Sequence, residues 1–200
     1  MAAYKGHDKV VQMLLEAGAD PEKKWSSLCL AARKNRVGVV KILANTKGVE
    51  LNRDFKGATA FFTAAEQGFT EIVKVLANTE GVNINKAWNG TTPLFQAVRL
   101  GHIEVVRIIL AKTEDVELNR KWYGYTPLQK AIERWKKYAP RNYANKYTHE
   151  HHAARKKYGK IMNILGGRKG IDIKSAWYTT SYDRSHPLTT SSVRNRKCGH

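Results

Sequence analysis

The sequence predicts an all-α repeat solenoid, and three observations predict it. Apolar residues recur at spacings of three and four in short blocks, each closed by glycine or a polar turn. The segments LANTKGVELN, LANTEGVNIN and LAKTEDVELN, ending at Asn52, Asn85 and Asn119, are near-copies of one another. Ala32, Ala65, Val98 and Ile132 occupy equivalent places and lie 33, 33 and 34 residues apart. A period in that range marks units that cannot bury an apolar face alone and do so by stacking.

Asn85 to Asn119 is the clearest unit. A polar turn closes at Gly90. Thr92 is placed to cap free amides, and Pro93 fits the first helical turn, where its missing N–H costs nothing. Leu94, Ala97 and Val98 then share a face, and Gly101 suits a left-handed helix end. Val105, Val106, Ile108, Ile109 and Leu110 form a second short helix too apolar to be exposed. A turn followed by two helices, with Thr92-Pro93-Leu94, Gly101-His102 and Glu104-Val105-Val106, resembles the ankyrin-repeat family. The resemblance implies a β-hairpin turn and two antiparallel helices per repeat, with hairpin tips and first helices forming a concave binding face. It also implies a non-catalytic protein-interaction module without a cofactor.

In chain order, Met1 to Lys24 starts in mid-repeat, as expected for a piece of a longer array. Full repeats run from about Trp25 to Asn52, Arg53 to Asn85, and Lys86 to Asn119. The fifth begins at Lys121 and continues through Ile132 to about Trp135. A basic, tyrosine-rich insertion over about 136–157 interrupts it, and its second helix resumes at Ile161. From Trp122 to Trp177 is 55 residues, which leaves an insertion of 21 after one repeat of 34. The repeat domain is thus expected over 1–177, with about four full repeats and partial ones at the ends. Residues 178–200 read as a disordered, basic, Ser/Thr-rich tail.

The family's histidine after Thr-Pro-Leu is replaced by Cys29, Phe62, Phe95 and Gln129, so its inter-repeat bonds need substitutes. Aromatics supply the main functional signal. Trp25, Phe55, Trp88, Trp122 and Trp177 fall at one repeat-equivalent position, expected at the hairpin tips, with Tyr123 beside Trp122. They suit a row of rigid contact residues, with Lys56 and Arg99 near the same face. They equally suit rings that pack on the neighbouring finger. Both readings are open on sequence alone.

Charge gives the alternative. Residues 1–120 hold 17 Lys/Arg and 13 Asp/Glu, or +4, while 121–200 hold 18 and 4, or +14. In the insertion, Lys136, Lys137, Arg141, Lys146, Arg155, Lys156 and Lys157 alternate with aromatics such as Tyr138 and Tyr143. That mixture suits a nucleic acid or another polyanion, and also an acidic protein or a membrane surface. His149-Glu150-His151-His152 is not HExxH, because Ala153 stands where the second histidine would be; no metal site is expected. No Walker loop, dinucleotide fingerprint or nucleophile elbow occurs, so no catalytic residue is assigned. Two cysteines give no disulfide framework, and no apolar run is long enough for a membrane helix, which predicts a cytoplasmic or nuclear protein without an obligate oligomer.

Overall fold

The computed structural model describes residues 1–21, 26–112, 116–139 and 149–178, without the side chains at 175, 177 and 178. The expectations for Trp25, Arg141, Tyr143, Lys146 and the tail after 178 lie outside those residues. The chain forms two layers of short helices. The inner layer holds α1 (Ala2–Lys5), α3 (Ser27–Arg33), α5 (Ala60–Gln67), α7 (Pro93–Leu100) and α9 (Pro127–Lys137). The outer layer holds α2 (Asp8–Glu16), α4 (Val37–Ala44), α6 (Thr70–Ala77), α8 (Ile103–Ala111) and α10 (His149–Gly166). Each inner helix packs on the next inner helix and on its own outer helix, and the outer helices pack in the same order. The short helix α11 (Ile173–Tyr178) closes against α9.

The helices start alike for one reason. Ser26, Thr59, Thr92 and Thr126 each accept a hydrogen bond from the amide three residues on, satisfying a donor that the first turn leaves free. Ser26 and Thr59 do this although Ser27 and Ala60 stand where the other two units have proline, so the cap and not the proline sets the start. The inner helices other than α9 end in a left-handed residue. Gly68 and Gly101 fill that role in two units, and Asn35, at φ 54°, fills it in the second.

Small residues let the layers approach. Ala31, Ala32, Ala64, Ala65, Ala97, Val98, Ala131 and Ile132 are fully buried between inner and outer helices. Burial falls at the first helix pair. Val10 and Leu14 are 45% and 47% exposed, whereas the equivalent Val39, Ile72 and Val105, and Leu43, Leu76 and Ile109, are at most 1% exposed. Those inner positions are covered from both sides by neighbouring units.

A second lattice of bonds joins the loops that precede the hairpins. The Asn52 side-chain amide donates to the Gly81 carbonyl at 2.7 Å, and its oxygen accepts from the Asn83 amide at 2.6 Å. Asn85 Oδ1 accepts from the Glu117 amide at 2.9 Å. Asn119 repeats the two-way bond, donating to the Gly170 carbonyl and accepting from the Asp172 amide. Each near-copied segment thus ends in an asparagine that ties its loop to the next.

Ala97 has no exposed surface and lies in the core between the helices. Ala97→Asp should cost on the order of 4 kcal/mol or more, because a carboxylate there has neither room nor a partner. Thermal or urea unfolding checks this; an unchanged midpoint would refute the register.

Candidate protein-interaction face

Among the described residues three fingers project from the stack, each turning on two residues with positive φ: Lys56-Gly57, Asn89-Gly90 and Tyr123-Gly124. Two consecutive left-handed residues make the type I′ geometry that matches the twist of a two-stranded ribbon. In the first finger β1 (Asp54–Phe55) pairs antiparallel with β2 (Ala58–Thr59), and Asp54 Oδ2 accepts from the Gly57 amide at 2.9 Å. In the others the pairing contracts to one bridge, Trp88 to Thr91 and Trp122 to Tyr125.

The tryptophans sit one residue before the tips, not at them, and they point back along the stack. Trp88 meets Phe62 edge-on at 5.5 Å between ring centroids, and Trp122 meets Phe95 in the same way at 5.4 Å. The Trp122 indole N–H donates to the Asn89 carbonyl of the preceding finger at 3.0 Å. A Cβ at Gly57 would lie 2.6 Å from the Trp88 indole nitrogen, and φ is +86° there, so both space and backbone call for glycine. Each ring therefore closes the gap to the preceding unit and keeps only part of its surface outward.

These contacts replace the missing histidine, with three devices over the four units. Phe62 and Phe95 use rings. The Cys29 thiol donates to the Arg53 carbonyl of the next finger at 3.1 Å. Gln129 turns inward instead and completes a reciprocal cap with Thr126. Phe55, half-buried, lies under the Arg33 guanidinium and the Lys56 ammonium, each 5.8 Å from its centroid.

The tips themselves carry the exposed chemistry. Tyr123 is 83% exposed, held at φ 47° and set edge-on to Trp122 at 4.5 Å. Tyr125 is 40% exposed beneath the Lys130 ammonium at 5.2 Å. Arg33, Lys56 and Lys121 are exposed on or beside the same edge. Between the inner helices the surface is bonded to itself: Gln96 Nε2 donates to Glu66 Oε1 at 2.7 Å, and Arg99 Nε donates to Gln96 Oε1 at 3.0 Å. Arg99 is thus a positioned rung of the face, not a loose cation. Trp177 does not extend the row of fingers. Its backbone is in α11, and the sequence has Thr179 two residues on, where each finger has a glycine after its aromatic.

The insertion enters the described structure as the end of α9 and the start of α10. It lengthens α9 to 11 residues and α10 to 18, so that helix begins at His149, well before Ile161. Trp135 lies under the Arg155 guanidinium at 4.4 Å, and Tyr138 stacks on Tyr158 at 6.0 Å with 9° between the ring planes. Tyr158 donates to the Arg99 carbonyl at 2.9 Å. His102 makes the equivalent contact one unit earlier, 2.9 Å from the Glu66 carbonyl, as does Arg36 to the Tyr4 carbonyl at 3.3 Å. Tyr158 therefore takes the place of the histidine of the Gly-His turn. Burial raises its phenol pKa above the usual value, against the pull of Arg134 and Arg99. Position alone did not reveal this role, since Tyr158 is 59 residues from its acceptor.

Among the described residues no three or more His, Cys, Asp or Glu side chains converge as a metal-binding group would require. No helix among them is long and apolar enough to cross a membrane.

Stacked pairs of antiparallel helices with projecting hairpins define a helical repeat scaffold. The chain belongs to the ankyrin-repeat family: the family model described as ankyrin repeats (3 copies) matches residues 1–87 and 80–140, so 140 of the 200 residues are covered. Ankyrin repeats are generally protein–protein interaction modules. No curated protein sequence matches the chain.

Two substitutions separate the structural ring from the exposed one. Trp88→Ala should lower stability by about 2 kcal/mol, through lost area and the lost edge contact. Tyr123→Asn should change it by less than about 1 kcal/mol, since relief of left-handed strain offsets loss of the ring pair. Chemical denaturation of both variants checks the pair; equal losses would make Tyr123 structural as well.

Proposed function

We propose that the chain is a non-catalytic module that holds a protein or peptide partner against its fingers and inner helices, with Tyr123 as the central anchor. One observation carries this reading. A large aromatic side chain stands 83% exposed on a left-handed residue that asparagine or glycine would occupy with less strain. Stability alone gives no reason for a tyrosine there, whereas a rigid ring with a phenol hydroxyl is a frequent binding hot spot. Trp122 supports the ring from below, and Tyr125 widens the apolar patch. Lys56, Lys121 and Arg33 around it favour a partner with acidic residues flanking an apolar one, and long-range attraction would speed encounter. Trp88 and Phe55 act mainly by holding the fingers in register, so the face is preorganised before the partner arrives.

The test is peptide display panned on the whole chain, followed by affinity measurement on the recovered sequences. Tyr123→Asn should weaken them at least roughly thirtyfold, the loss expected of a 2 kcal/mol hot spot, with the melting temperature held. Recovered peptides that bind Tyr123→Asn as tightly as the parent would refute the anchor.

A further inference from the structure

We infer that the α9–α10 hairpin is a second binding surface, one that holds the phosphate backbone of a nucleic acid. The described residues between 134 and 160 carry seven Lys/Arg and a single exposed carboxylate, Glu150. Glu133, just before them, is already paired with Lys130. Lys137, Lys156, Lys157 and Lys160 are exposed, and Arg134 and Arg155 are half-buried beside them. Seven cations against one carboxylate make a dense field of one sign, unlike the inner-helix surface with its Glu66–Gln96–Arg99 ladder.

The field is mounted on a rigid support. Contacts between Trp135 and Arg155, Tyr138 and Tyr158, and Tyr138 and His151 zip the two helices together. The Tyr158 hydroxyl then fastens the pair to the fourth unit through the Arg99 carbonyl. The part of α10 before Tyr158 is nine residues long, so it projects about 13 Å beyond the point of attachment. A projection of that length faces roughly four phosphates on one strand of a duplex.

The choice of nucleic acid over an acidic protein rests on what the hairpin lacks. Protein interfaces draw their affinity from an apolar or aromatic anchor at the centre. Trp135, Tyr138 and Tyr158 are engaged with one another and with Arg155. Among the described residues the exposed large apolar side chains are Met1, Val10, Met13, Leu14, Tyr123 and Tyr125, and none is on this hairpin. A surface with charge and no anchor fits a polyphosphate, whose binding is driven by released counterions and needs no pocket. For the same reason base stacking on these rings is not part of the proposal, and little sequence preference is expected.

The experiment uses the whole chain and fluorescence anisotropy, with a labelled 20-nucleotide RNA, a 20-base-pair DNA duplex and a polyglutamate peptide as probes. Each is titrated from 50 to 200 mM salt. Both nucleic acids should bind more tightly than polyglutamate, and their relative affinities show which form is held. Substituting Lys137, Lys156, Lys157 and Lys160 together by Gln should cut duplex affinity at least tenfold at 100 mM salt. It should also flatten the log–log salt slope by roughly 3 to 4, with an unchanged melt. Should that variant melt early, Lys156→Gln with Lys160→Gln alone should flatten the slope by about half as much. An unaltered slope in the folded variants overturns the proposal. So does a loss seen only when Arg194, Arg196 and Lys197 are changed to Gln, which would place binding in the tail. Polyglutamate binding as tight as either nucleic acid, and lost with the same lysines, would make the surface one for acidic proteins.

Discussion

The edge contact of a tryptophan from one finger on a phenylalanine at the base of the preceding one is the interaction on which the middle of the array depends. No unit here contains enough apolar surface to fold by itself, and stability is the sum of weak internal terms and strong nearest-neighbour terms. The family's usual polar tie at this position is missing in every unit. Phe62 with Trp88 and Phe95 with Trp122 supply the connection by packing, which tolerates small shifts better than a hydrogen bond does. The Cys29 thiol and the Gln129 capping box show that the position accepts other solutions where a ring is absent.

This arrangement divides labour along each finger. The residue before the tip faces inward and fixes the spacing of the fingers, while the tip residue faces outward and is free to vary. Lys56, Asn89 and Tyr123 occupy the three tips, so the same backbone geometry presents a cation, an amide and a phenol in turn. Chemistry of the face can therefore change without disturbing the rings beneath it. At the opposite end of the inner helices the same logic holds: Arg36, His102 and Tyr158 are different side chains that each reach the same backbone carbonyl of the preceding unit.

Much of this was legible in the sequence because the relevant signals are local and periodic. The cap at Thr92, turn glycines, and apolar residues three and four apart depend on neighbours within one unit, and the repeat of the pattern fixes the register. The family could be named from Thr92-Pro93-Leu94 and Gly101-His102 for that reason. What was not legible depends on direction or on distance. Spacing aligned Trp88 and Trp122 but could not say that their rings turn back on the preceding finger. Counting also placed Trp177 on a finger, whereas it lacks the glycine found two residues after each finger aromatic, and the segment coils into α11. Tyr158 looked like one tyrosine among several, since the insertion hid its equivalence to His102.

The asparagine bonds at the ends of the copied segments have a consequence for how such a chain changes over time. Asn52, Asn85 and Asn119 all reach main-chain atoms of the following loop, and none depends on which side chain that loop carries. The connection survives in the fifth unit although 51 residues, including the whole insertion, separate Asn119 from Gly170. A joint that recognises only peptide groups is indifferent to the identity of the piece it joins. Copies can be added, lost or interrupted at the helix–helix turn and still dock, so the array can lengthen by duplication while each new unit drifts toward its own binding chemistry.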